Sequence, residues 1–217
     1  MIWERVIDEI DFGEGPRWHD GRFWFSDFYQ HTISSVGDDG VRRIEHADVG
    51  RPSGLGWLPD GRLLFVEMLS RTVRRIELTG KVLVHADLSD IATGYCNDMV
   101  VDAAGNAYVG NFGFDLEGGT EMKSASLALI YADGSPSVAA TDLLFPNGSV
   151  ITESGTTLVV GETWPAEKPR RAASGTRAPM PLWEAIAGAG AGKGALWSAR
   201  GMLCTANPFK GSGHGAS

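Results

Sequence analysis

Gly13-Glu14-Gly15-Pro16-Arg17-Trp18-His19-Asp20-Gly21 decides the fold, because its phrasing returns three more times along the 217-residue chain. The other copies are Pro52-Ser53-Gly54-Leu55-Gly56-Trp57-Leu58-Pro59-Asp60-Gly61, Asn97-Asp98-Met99-Val100-Val101-Asp102-Ala103-Ala104-Gly105 and Pro146-Asn147-Gly148-Ser149-Val150-Ile151-Thr152-Glu153-Ser154-Gly155. Their turn glycines lie 40, 44 and 50 residues apart. A period in that range, with a short strand on each side of a turn, marks stacked β-units such as propeller blades. Equivalent positions in such blades face one central channel, so residues distant in sequence build a single site.

The runs after the turns agree with this. Phe23-Trp24-Phe25, Leu63-Leu64-Phe65-Val66, Ala107-Tyr108-Val109 and Leu158-Val159-Val160 are short apolar stretches that suit strands buried on both faces. Thr72–Glu77 and Leu127–Tyr131 alternate more and read as outer strands, leading into turns at Thr79-Gly80 and Asp133-Gly134. No segment before residue 164 has a helical period. An all-β propeller is the expected class.

Composition narrows the function. A 43% hydrophobic content with seven tryptophans supports a packed globule, and a formal charge of −8 argues against nucleic-acid binding or a basic patch for anionic membranes. Cys96 and Cys204 form no CxxC pair, so neither a disulfide framework nor a thiolate zinc site is expected. The chain has no 18-residue apolar run and no secretory signal pattern, and the expected location is cytoplasmic.

The pattern changes after Trp164. Residues 165–195 are rich in Ala, Gly, Pro and Arg, and no strand alternation survives there. Gly201 to Pro208 resembles a strand-turn phrase again, with Gly201 placed 46 residues after Gly155. The expected division is 1–164 as propeller blades and 165–217 as a degraded segment with a remnant blade at 193–210. A reading-frame disturbance after Trp164 accounts for the break, with a native linker as the rival explanation.

One column stands out when the copies are aligned on the turn glycine. Glu14 precedes its glycine by seven residues, while Ser53, Asn97 and Asn147 each precede theirs by eight. An acidic oxygen and two amide oxygens brought together suit a hard divalent cation such as Ca²⁺, with Zn²⁺, Mn²⁺ and Mg²⁺ left open. The plainer roles are a surface carboxylate for Glu14 and turn caps for the asparagines. Asp20, Asp60, Asp102 and Asp133 read as turn residues. The histidines (His19, His31, His46, His85 and His214) show no ligand spacing. Ala187 to Gly194 is not a phosphate-binding loop, since it lacks the first glycine and the Ser or Thr that would hold Mg²⁺.

Gly13-Glu14-Gly15-Pro16, Arg51-Pro52-Ser53-Gly54-Leu55, Asn97-Asp98 and Phe145-Pro146-Asn147-Gly148 resemble the SMP-30/gluconolactonase/LRE (regucalcin-like) family. The resemblance covers residues 1–164. It implies a six-bladed propeller, incomplete here at about four to five blades, that holds one divalent cation and hydrolyses a small lactone. By that resemblance Glu14 and Asn147 match metal ligands, Asn97 matches a residue touching metal-proximal water or substrate, and Asp98 orients substrate. Arg51 is a weaker candidate for substrate binding. The family's third ligand and general base is an aspartate, and Lys193 stands in that register here; a protonated lysine has no lone pair and repels a cation. Impaired activity is therefore expected, and a non-catalytic cation-binding or interaction propeller is the alternative. The nucleotide sequence around codon 164 is expected to show a strand-rich continuation in another frame; a gene without one leaves the linker explanation standing.

Overall fold

The computed structural model describes residues 7–163 and the strand segments Leu182–Ala187, Gly194–Trp197 and Leu203–Ala206. Three antiparallel four-stranded sheets follow one another in chain order. The first contains β1 (Gly13–His19), β2 (Arg22–Asp27), β3 (Thr32–Val36) and β4 (Arg42–His46). The second contains β5 (Pro52–Trp57), β6 (Leu63–Glu67), β7 (Thr72–Ile76) and β8 (Val82–Asp87). The third contains β9 (Cys96–Val101), β10 (Ala107–Asn111), β11 (Ala125–Ile130) and β12 (Pro136–Leu143). A fourth sheet begins with β13 (Pro146–Ile151) and β14 (Thr157–Glu162). These are propeller blades, each a meander running outward from its first strand.

The core lies between blades rather than within them. Ile33, Leu55, Phe65 and Ile76 fill the space between the first and second blades. Leu64, Val66, Val73, Met99, Val109 and Ile130 do so between the second and third, and Tyr108, Leu127, Leu143, Leu158 and Val160 between the third and fourth. The second strands β6 and β10 are therefore apolar on both faces, as the runs Leu63–Val66 and Ala107–Val109 require.

The turns explain why Glu14 is one residue out of step. Asp20 and Gly21 both have positive φ, 47° and 73°, and form a two-residue hairpin that pairs His19 with Arg22. The second blade uses a longer turn, closed by Leu58 N donating to Arg62 O at 2.9 Å, with Asp60 Oδ1 accepting from Arg62 N. Strand pairing removes the offset: Gly13 opposes Asp27 as Pro52 opposes Glu67, Cys96 opposes Asn111 and Pro146 opposes Glu162.

One feature of the latter part departs from expectation. Residues 165–195 show no strand alternation in sequence, yet Leu182–Ala187 forms β15, paired parallel to β14. The exposed edge of β14 is a template for any apolar segment, and Leu182-Trp183-Glu184-Ala185-Ile186-Ala187 is apolar enough to add to it. Gly194–Trp197 (β16) and Leu203–Ala206 (β17) pair antiparallel. Lys193 and the rest of the 193–210 remnant lie outside the described residues.

Adjacent inner strands approach closely enough to exclude side chains. A Cβ on Gly54 would stand 2.3 Å from Met99 N, and one on Gly15, at φ 53°, would stand 2.4 Å from Ser53 O. Both obstacles are backbone, which has nowhere to move. Gly54→Ala is expected to cost about 2 kcal/mol or more of unfolding free energy, read as a lowered urea midpoint. Unchanged stability would disprove the close approach.

Candidate active site

The four inner strands β1, β5, β9 and β13 share one irregularity near their starts. Pairing breaks between Glu14 and Arg17, between Pro52 and Leu55, between Cys96 and Met99, and between Pro146 and Ser149. A bulge of this kind re-aims side chains away from the ladder, and its recurrence in each blade makes it a built feature. It frees Ser53, Asn97-Asp98 and Asn147-Gly148, and it falls directly after Glu14.

Several contacts show the convergence. Ser53 Oγ donates to Asn97 Oδ1 at 3.3 Å, with both residues buried. Ser26 Oγ lies 2.7 Å from Ser53 O and 3.0 Å from Glu14 O, tying the first two blades together. A Cβ on Gly148 would be 3.9 Å from Asp98 Oδ2, so the Asn147-Gly148 bulge abuts Asp98. Arg17 Nη2 donates to Asp98 Oδ1 at 2.7 Å and to Met99 O, and Arg17 Nη1 donates to Pro16 O at 2.7 Å. Glu14, Ser53, Asn97, Asp98 and the Asn147 backbone thus meet at one end of the channel.

The electrostatics are those of a site short of positive charge. Burial, and then the negative charge of Asp98, raise the Glu14 carboxyl from 4.5 to about 7; the Gly15 amide and the Arg17 guanidinium act the other way. Among the described residues no three His, Cys, Asp or Glu side chains gather as a metal cluster. The available donors are the Glu14 carboxylate, with the Arg17-paired Asp98 carboxylate beside it, and amide and hydroxyl oxygens. That set, with its surplus negative charge, fits a hard cation that keeps part of its water.

Arg51 sits apart. Its guanidinium lies 5.0 Å from the Phe28 ring centre and 6.0 Å from that of Tyr29, with Glu117 Oε1 at 3.5 Å from Nη1. These partners belong to the loops after β2 and β10, which rise at the same end of the channel as Glu14. Arg51 therefore joins two of the mouth loops.

Sequence reasoning passed over two groups. Arg17, inside the first repeat, is one. The other is a second polar column formed by Asp27, Glu67, Asn111 and Glu162, the residues that end the second strand of each blade. Asp27 accepts from the backbone N–H of Asp11, Phe12 and Gln30, Glu67 from Arg51 and Ser70, and Glu162 from Leu144. Asn111 Oδ1 accepts from Gly113 N and its Nδ2 donates to Ser126 O. The signal was present, since each apolar run ends in an acid or an amide. At the far end of the channel a cleft of about 340 Å³ is lined by Arg17, His19, Trp57, Leu58, Val101 and Asp102, with the His19 ring stacked 3.9 Å from Trp57.

The family model described as the SMP-30/gluconolactonase/LRE-like region matches residues 12–174. The chain belongs to this family. Among solved structures, a gluconolactonase from Xanthomonas campestris is 20% identical with a TM-score of 0.64, the match covering 95% of this chain and 79% of that one. Regucalcin from Agrobacterium tumefaciens, a calcium-binding protein, is 20% identical with a TM-score of 0.65, covering 91% and 68%. A third structure, of a candidate gluconolactonase, is 22% identical with a TM-score of 0.61; the match covers 74% of this chain and 59% of its length. At such identities the likeness is one of fold. A search of curated protein sequences finds no significant match.

The Glu14 environment gives a signed pH dependence. A carboxyl raised in the folded state stabilises the fold while protonated, fully below about pH 4.5, and that contribution is lost as pH rises through about 7. With chelator present, Glu14→Gln is expected to gain up to about 3 kcal/mol relative to the parent between pH 4.5 and 8. Urea titrations of both proteins at several pH values measure it, and parallel curves would contradict the burial of Glu14.

Proposed function

We propose that the chain is a divalent-cation-dependent hydrolase of a small lactone, with Ca²⁺ as the preferred ion. Family membership and the meeting of Glu14, Asn97 and Asp98 at one channel mouth support this reading. Glu14 and Asn147 hold the ion. A bound cation supplies a Lewis acid for the lactone carbonyl and for charge developing on its oxygen.

The rest is work for this chain's side chains. Asn97, its amide oxygen engaged by Ser53, presents its Nδ2 to water or substrate. Asp98, pinned by Arg17, orients the substrate from the neighbouring position. Arg51 and the aromatic rings beside it border the mouth and meet the far end of the substrate. Net reaction adds water across the ring C–O bond and yields a hydroxy acid.

The third-ligand register at Lys193 supports weak turnover. A second reading, a non-catalytic cation-binding or protein-interaction propeller, rests on Lys193 standing in the register of the general base. The proposed compartment is the cytoplasm; among the described residues no helix is long and apolar enough to cross a membrane.

Hydrolysis of a sugar lactone, followed by pH-stat, is expected to appear with added Ca²⁺ or Zn²⁺, to vanish with chelator and to vanish in Glu14→Ala. Cation binding without turnover favours the second reading. Turnover that survives both chelator and Glu14→Ala would exclude the metal-dependent mechanism.

A further inference from the structure

Arg17 spans the channel from β1 to β9. Its side chain is 20% exposed and that of its partner Asp98 is 4% exposed, so the pair is largely screened from water. Three acceptors hold the guanidinium: Asp98 Oδ1, the Met99 carbonyl and the Pro16 carbonyl. Two of these lie on the strand that carries Asn97, and the third is two residues beyond Glu14. Arg17 is also among the residues that line the cleft at the far end. A positive charge fixed there lies within Coulomb reach of Glu14.

We propose that Arg17 is a resident counter-cation that sets the affinity of the channel for its divalent ion. This rests on the reading that Glu14 helps to hold such an ion. The guanidinium neutralises Asp98 and repels any cation arriving beside Glu14. It keeps the site weak and makes release easy. Arginine suits the task because it stays protonated and its planar fork engages several acceptors at once. Arg17 does not touch the ion; it acts through charge and through the orientation of Asp98.

The test is calorimetric titration with Ca²⁺ alone, at constant pH and ionic strength. Arg17→Met is expected to bind about tenfold or more tightly than the parent, since a repulsive charge is gone and Asp98 is released. Arg17→Lys keeps the charge and is expected to stay within about threefold of the parent. Asp98→Asn leaves the guanidinium unopposed and is expected to bind about tenfold more weakly; adding Arg17→Met to it is expected to restore affinity. A bracing role alone predicts the reverse sign, with both Arg17 variants weakened. Equal or weaker binding in Arg17→Met would overturn the proposal. If that variant does not fold, the comparison of Asp98→Asn with the double variant decides, and no gain there overturns it. Failure of the underlying reading has a different signature: a parent that binds no Ca²⁺, or Glu14→Gln binding as well as the parent, removes the ion and this proposal together.

Discussion

Contact between neighbouring inner strands at backbone distance is the constraint on which the rest depends. Glycine at positions 15 and 54 lets one inner strand lie against the next with no side chain between them, and Gly110 does the same for β10 against β13. Only with that spacing can Ser26 reach two carbonyls on different blades and Ser53 reach Asn97. A propeller built with larger residues at these positions would have a wider axis, and its polar groups would face water instead of one another.

The shared bulge turns this close packing into a site. A regular strand would point alternate side chains to the two faces of each blade, into the apolar layers between blades. Interrupting the ladder at the same place in each inner strand lets Ser53 and Asn97 meet between blades instead, close to Glu14. Burial then gives Glu14 its raised carboxyl and makes Asp98 require a partner. Arg17 is that partner, and the cross-channel ion pair is the electrostatic counterpart of the glycine contacts.

Much of this was legible in the sequence. The repeat gave blade number and order for the first three units, and the column of Glu14, Ser53, Asn97 and Asn147 picked out positions near the starts of the four inner strands. The one-residue lag of Glu14 reflects a two-residue hairpin at Asp20-Gly21 in place of a longer turn, which local turn chemistry determines. Other parts were hidden for physical reasons. Arg17 reads as an ordinary strand arginine until β9 is laid against β1, because its partner is 81 residues away. Arg51 invites a role at the axis by its place before Pro52, but the Phe28 and Tyr29 rings draw it to the loops. The strand at Leu182–Ala187 depends on an available sheet edge and not on local alternation.

The acids and the amide that end the second strands carry a consequence for how this scaffold changes over time. Asp27, Glu67 and Glu162 fasten the backbone just ahead of β1, β5 and β13, so tension in a mouth loop is absorbed at that anchor. Insertions or swaps between the anchors can reshape the rim while Glu14, Ser53 and Asn97 keep their positions. Such a separation lets the rim drift under selection at little risk to the buried groups beneath it.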